Sequence, residues 1–198
     1  IYDCDGVIID SLEANRRFYN GFRAALGRPP LSPEELLYAH THTVFEALRF
    51  IFRDREDLIP RALEIYSGTD SSEESLKHLK LEPNLLPALE ALKTRGILRA
   101  VSTSRSKMKP ILSMFNLHPH FDLVVTSLDV RVPKPHPESV ERILASFSLE
   151  KTDVLLVGDS EIDAQTALSA GVKFIAYKNR SLSADAHMED HLEILKLV

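Results

Sequence analysis

A chain of 198 residues with 44% hydrophobic and 27% charged content can bury one good-sized core, or a core domain carrying a smaller insert, as ordinary soluble globular proteins do. Its net charge of -5 gives no reason to expect nucleic acid or an acidic membrane surface as a partner. The lone Cys4 excludes an internal disulfide and suits a reducing, cytoplasmic setting, and there is neither an apolar run long enough to cross a bilayer nor a signal-peptide pattern.

The text opens in mid-strand, which leaves room for native residues ahead of Ile1. The first residues, Ile1-Tyr2-Asp3-Cys4-Asp5-Gly6, run an apolar start straight into carboxylates. Acids at i and i+2 on an extended backbone point the same way, and like charges that close repel unless a cation or a proton lies between them. Gly6 permits a loop just beyond. The stretch reads as a strand whose carboxyl end presents a nucleophile or a metal site, with an acidic turn after an edge strand as the plainer alternative.

Residues 11–81 read as helical throughout. Leu12, Phe18, Phe22 and Leu26 share a face, with Ser11 as the expected N-cap and Gly27 at the end. Ser32-Pro33-Glu34-Glu35 starts a second helix with a capping box. A polar interruption at Ala39-His40-Thr41-His42-Thr43 precedes an amphipathic run over 44–52. Further helices are expected over 56–66 and 73–79, with a soft polar stretch at 67–72 between them. No period-two alternation occurs there, so this is a small all-helical module of four or five helices.

After Glu82-Pro83 the pattern changes. Helices are expected over 85–93, 107–115, 139–147 and 162–170, and strands over 97–101, 121–125, 153–157 and 172–176, while residues 181–198 read as a helical or irregular closing segment. Strands separated by helices mean a parallel sheet with right-handed crossovers, whose ligand sits beyond the carboxyl ends of the strands. The fold class is therefore α/β, a doubly wound parallel sheet with an inserted helical domain. Residues 1–10 and 82–198 would form the core domain and residues 11–81 the insert.

The polar signals fall at those strand ends: Asp3 and Asp5 after the first, Thr103 after the second, Lys134 in the loop after the third and Asp159 after the fourth. With Glu161 and Asp163 close by, several negative charges surround one cleft against a single nearby lysine. A hard dication resolves this, and Mg²⁺ takes one or two carboxylates and leaves its other positions to water and substrate phosphate. Thr103, the exposed backbone amides after Gly6 and Thr103, and the Lys134 ammonium are the donors a phosphoryl group needs.

Asp3-Cys4-Asp5-Gly6-Val7, Thr103 after an apolar strand, Lys134-Pro135-His136-Pro137-Glu138 and Gly158-Asp159-Ser160-Glu161-Ile162-Asp163 resemble, in order and from end to end, the four motifs of the haloacid dehalogenase superfamily. The insert at 11–81 is similar to that family's small helical cap, and the closest resemblance is to the phosphoglycolate phosphatase and β-phosphoglucomutase-like branch. The resemblance implies Asp3 as nucleophile, taking the phosphoryl group as an aspartyl-phosphate. It implies Asp5 as the acid that protonates the leaving alcohol and then the base that deprotonates water. Mg²⁺ would be held by the Asp3 carboxylate, the Asp5 main-chain carbonyl and Asp159. Thr103 and Lys134 would bind the phosphoryl oxygens, and Asp163 would orient Lys134 or metal-bound water. Ser102, Thr103 and Ser104 are adjacent; spacing from Gly96 favours Thr103, with Ser104 as a second phosphate-binding candidate.

Family members that cleave carbon–halogen or carbon–phosphorus bonds do not keep an acid at the Asp5 position, so phosphate-ester chemistry is favoured. His40 and His42 fall where such caps place a substrate-reading loop, although a solvated surface loop is the plainer reading and a zinc pair is disfavoured without a neighbouring acid or cysteine. Arg16 on the first helix is a further candidate for an anionic substrate against the usual solvated arginine. His118, His120 and His136 read as structural, and a reactive Cys4 thiolate is disfavoured beside carboxylates. The partner is thus expected to be a small-molecule phosphate ester, with neither nucleic acid nor membrane involved. The rivals are a phosphomutase, which would interconvert sugar phosphates without releasing phosphate, and a non-catalytic regulatory homologue.

Overall fold

The structure is a computed structural model describing residues 1–68 and 76–198. The chain divides into two compact units, one of residues 1–9 and 81–198 and the other of residues 10–80. It crosses between them through two short strands, β1 (Ile9–Asp10) and β2 (Lys80–Leu81).

The first unit is a parallel sheet built from β3 (Ala100–Ser102), β4 (Leu123–Val125), β5 (Leu155–Gly158), β6 (Lys173–Tyr177) and β7 (Ala186–Met188). The opening residues run between β3 and β5, with Tyr2 bridged in parallel to both Val101 and Val157. Tyr2 N donates to Ala100 O at 2.8 Å and Asp3 N to Val157 O at 2.9 Å. With β3–β4, β5–β6 and β6–β7 also parallel, and the opening segment taken as strand 1, the spatial order is 3-2-1-4-5-6. This is the doubly wound order, whose strand order reverses beside the first strand and opens a crevice there at the carboxyl ends.

Helices α5 (Leu85–Thr94), α6 (Lys109–Met114), α7 (Glu138–Phe147) and α8 (Glu161–Ala170) connect the strands. Val140 and Leu144 of α7 and Ala167 and Ala170 of α8 bury against Leu156, Phe174 and Ala176, the period-two side chains of one sheet face. The closing segment departs from the sequence expectation. It adds β7 as a parallel edge strand before a 3₁₀ segment, His191–Lys196, because Ala186–Met188 can ladder onto β6, a partner invisible to local periodicity.

The second unit carries α1 (Leu12–Ala25), α2 (Pro33–Thr41), α3 (Val44–Ile51) and α4 (Ile59–Gly68), the last preceded by a 3₁₀ turn. Its core is Tyr19, Phe22, Ala47, Leu48, Ile51, Phe52 and Ala62. Ser32 and Thr43 both form capping boxes, with Glu35 and Glu46. Ser11 sits at the N-cap position, but its side chain makes no capping bond to α1. The polar interruption is shorter than expected, since His40 and Thr41 finish α2 and only His42 and Thr43 stand between helices. Residues 73–75 of the expected helix over 73–79 lie outside the described residues, as does most of the soft stretch at 67–72; of the rest of that helix, Leu76 is helical and residues 77–79 are turn or irregular. No helix among the described residues is long and apolar enough to cross a membrane.

Candidate active site

Asp3, Asp5, Thr103, Lys134, Asp159 and Asp163 all belong to the first unit, the first five just beyond a strand end or in the loop that follows and Asp163 in the first turn of α8. Lys134 is the hub. Its buried ammonium donates to Asp3 Oδ1 at 2.8 Å and to Asp163 Oδ1 at 2.6 Å. The loop is shaped locally: the amides of Arg131 and Val132 both donate to the Glu138 carboxylate at 3.1 Å, and His136 Nδ1 accepts from Glu138 N at 3.3 Å. His136 thus takes the structural part expected of it.

Asp159 lies on the turn from β5 into α8, and Asp163 in the first turn of that helix. Ser160 caps this helix in a box with Asp163, its hydroxyl donating to Asp163 Oδ2 at 2.6 Å. Two glycines make room for these acids. Gly6 has φ +77°, and a Cβ on it would fall 1.9 Å from Asp159 Oδ2; one on Gly158 would fall 2.3 Å from the Asp163 Cβ. Asn179, beyond β6, steadies the same turn by donating its amide to the Asp159 carbonyl at 2.8 Å.

The sequence reading of a single cation facing these acids needs correction. Arg105 is a second one, gripping Asp5 with two parallel bonds of 2.7 Å, Nε to Oδ2 and Nη2 to Oδ1. Its backbone amide also donates to the Thr103 hydroxyl at 3.1 Å. The signal was its place two residues past Thr103, on the same rim. Another correction concerns the amide after Gly6, expected to face a phosphoryl group. Val7 N turns instead into its own loop, toward Cys4 O at 3.4 Å. Among the adjacent hydroxyls, Ser102 is buried and donates to Ser139 Oγ at 2.8 Å, so Thr103 and Ser104 are those at the open end of β3.

Electrostatics follow from this packing. Burial, opposed by Lys134 and reinforced by Asp163 and Asp5, lifts the Asp3 carboxyl above the usual carboxylate range. Asp159 is pushed up to about 8 by burial and by the charges of Asp3, Asp163 and Asp5. Burial opposes the Lys134 charge, but Asp163 and Asp3 outweigh it and hold the ammonium above its ordinary range. Burial and the Asp5 charge keep the Cys4 thiol protonated, so it is no nucleophile.

Asp3, Asp159 and Asp163 each offer a carboxylate oxygen within 4.8 Å of the other two. Both Asp163 oxygens are engaged, by Lys134 and by Ser160. Asp3 and Asp159 are then the carboxylates left for a cation, and no ion pair of the described residues involves Asp159. An all-oxygen donor set with an uncompensated carboxylate fits a hard divalent cation.

His40, His42 and Arg16 lie in the second unit, among partners of their own. The Arg16 guanidinium pairs with Glu13 at 2.6 Å and is more than half exposed, at 54%. His40 Nδ1 is 2.9 Å from Asn15 Nδ2. The His42 ring stacks on Tyr38 at 3.7 Å, and its Nδ1 donates to the Tyr38 carbonyl at 2.9 Å.

The family described as haloacid dehalogenase-like hydrolase matches residues 1–177. A phosphoglycolate phosphatase of Rhodobacter capsulatus is 32% identical over 185 residues, covering 89% of this chain and 82% of that protein. A pyrophosphatase of Bacillus pumilus is 26% identical over 178 residues, covering 87% and 79%. Among solved structures, a haloacid dehalogenase superfamily hydrolase of Geobacter sulfurreducens is 37% identical and superposes with a TM-score of 0.86, covering 100% of this chain and 97% of that one. The chain belongs to the haloacid dehalogenase-like hydrolases and resembles their phosphoglycolate phosphatase branch.

Proposed function

We propose that the protein is a Mg²⁺-dependent phosphatase that hydrolyses a small phosphate monoester through an aspartyl-phosphate on Asp3. As a member of this family with phosphatase relatives, it is a phosphoric monoester hydrolase. The observation that carries the finer reading is the Lys134 ammonium bound to Asp3 beside Asp159, which joins no ion pair among the described residues. A cation on one side and a metal-ready acid on the other suit a nucleophile that must meet an anionic phosphoryl group.

Asp3 and Asp159, with the Asp5 main-chain carbonyl, would hold Mg²⁺. When bound, the ion supplies charge neutralisation for the phosphoryl oxygens and keeps Asp3 ionised. In the first step an Asp3 oxygen forms a bond to phosphorus as the ester P–O bond breaks, and the leaving alkoxide takes a proton from Asp5. In the second, Asp5 takes a proton from water, whose oxygen attacks phosphorus and releases inorganic phosphate and free Asp3. The bidentate Arg105 pair favours ionised Asp5, its form as base. Arg105 must therefore loosen its grip when Asp5 acts as acid. Thr103 and Ser104 would donate to the phosphoryl oxygens, while Lys134, steadied by Asp163, balances their charge.

The unit of residues 10–80 would serve as the cap, with His40, His42 and Arg16 as the residues that read the leaving group. The test is phosphate release from a panel of phosphoglycolate, pyrophosphate, sugar phosphates and nucleotides, with MgCl₂ or with EDTA. Steady Mg²⁺-dependent release from a small phosphate is expected. Interconversion of sugar phosphates without release would favour a mutase, and inertness toward the whole panel would overturn the reading.

A further inference from the structure

The loop of residues 4–9 carries Asp5 and Gly6 and follows directly from Asp3. Ile8 N and Ile9 N both donate to Cys4 O, at 2.9 and 3.0 Å, and Gly6 N donates to Ile9 O at 2.8 Å. That leaves the carbonyls of Val7 and Ile8 needing donors in a fully buried place. Ile8 O receives Glu82 N at 3.0 Å. Val7 O receives the imidazole of His191, whose Nε2 lies 2.8 Å away although the residues are 184 positions apart.

His191 is wholly buried and held from several sides. Its ring stacks on Tyr177 with centroids 4.4 Å apart, and Tyr2 lies 6.0 Å away. Asp190, just before it, accepts from Leu192 N at 2.8 Å and from Asn84 Nδ2 at 2.6 Å. The Tyr177 hydroxyl donates to Glu82 Oε2 at 2.8 Å and Lys178 pairs with the same oxygen, so the two residues that hold the loop's carbonyls are themselves linked. A carbonyl only accepts, so Nε2 carries the ring proton. Burial keeps the ring neutral by lowering its pKa to about 4.

Nδ1 is then a buried acceptor with no hydrogen-bond partner among the described residues. An apolar side chain would fill this site without that cost. What the histidine adds is a donor for Val7 O.

We propose that His191 is a positioning residue, whose Nε2–H on the Val7 carbonyl holds the 4–9 loop so that Asp5 keeps its place relative to Asp3. This rests on the roles given to Asp3 and Asp5 above.

His191→Gln sets an amide nitrogen where Nε2 stood; His191→Met fills the volume without a donor, and His191→Asn reaches only the Nδ1 position. The readouts are kcat and KM for p-nitrophenyl phosphate in MgCl₂, and hydrogen–deuterium exchange of the peptide spanning residues 4–9. The Met and Asn variants should lose about tenfold or more in kcat, with KM within about twofold, as expected when a reacting group is misplaced. Their 4–9 peptide should exchange faster, while the Gln variant keeps native exchange and kcat within about threefold. If one donor-less variant fails to fold, the other carries the comparison. Native kcat and exchange in a folded Met or Asn variant would overturn the proposal, as would a Gln variant as impaired as they are. Should the native protein hydrolyse nothing, the phosphatase reading fails while the exchange comparison still decides the positioning claim.

Discussion

Charged side chains are used in opposite ways in the two units. At the strand ends of the first, Lys134 reaches Asp3 across 131 positions and Arg105 reaches Asp5 across 100, in buried or half-buried pairs. In the second, Arg16 and Arg17 both pair with Glu13 on the same helix, and Arg61 pairs with Glu64, all exposed. Arg23 departs from this, buried against Glu35 and the carbonyls of Pro29 and Ile51, where it ties helices together, and Arg28 and Arg53 also pair beyond their own segments, with Asp54 and Glu35. Exposed local pairs add little and can be exchanged freely. Buried charges cost stability unless fully paired, so their concentration at one rim marks where stability is given up for chemistry.

The hardest way to break this contrast is at the nucleophile. Asp3→Asn should lower phosphate release by at least about 10³-fold while the protein stays folded, and a loss under about tenfold would refute the role given to Asp3. Next comes the hub: Lys134→Met leaves two buried acids without their cation. It should cost about 3 kcal/mol in urea unfolding near pH 8. The cost should shrink near pH 5.5, where Asp3, with its raised pKa, can take up a proton instead.

The same rim sets a pH dependence. In the folded, metal-free protein Asp159 keeps its proton up to about 8, whereas the ordinary value is 3.8. Between those values the folded chain binds more protons than the unfolded one, so stability falls as pH rises through the window. In EDTA, thermal unfolding should therefore occur at lower temperature near pH 8.5 than near pH 5.5. A saturating divalent cation should oppose the loss, and should raise the melting temperature more at the higher pH because ligands must be deprotonated to bind it.

The smallest effect belongs to the second unit. His42→Ala should leave kcat for p-nitrophenyl phosphate within about twofold and shift the ratio between two natural phosphates by about threefold or more, because a selectivity contact acts on the leaving group. Equal losses on every substrate would count against it.

Much of the site was legible because its residues punctuate strands and helices. Asp3, Thr103 and Asp159 follow apolar strands. Arg105 was overlooked because its place two residues past Thr103 does not by itself separate it from a solvated arginine; its meeting with Asp5 shows its part. His191 escaped for the same reason, in a tail whose periodicity is broken by a three-residue strand and a 3₁₀ segment. Ser11 erred the other way, a good capping residue whose side chain does not cap.

What the amino-acid order determined unaided was the alternation of helix and strand, the parallel sheet it implies, and the polar residues at the strand ends. Those are consequences of backbone period and of where hydrophobic runs stop, properties carried by neighbouring residues. Only the tertiary structure decided which polar groups meet: Arg105 on Asp5, Lys134 between two acids, His191 on the Val7 carbonyl. Such pairs form because burial removes water as the alternative partner, and what replaces it depends on segments distant in the sequence.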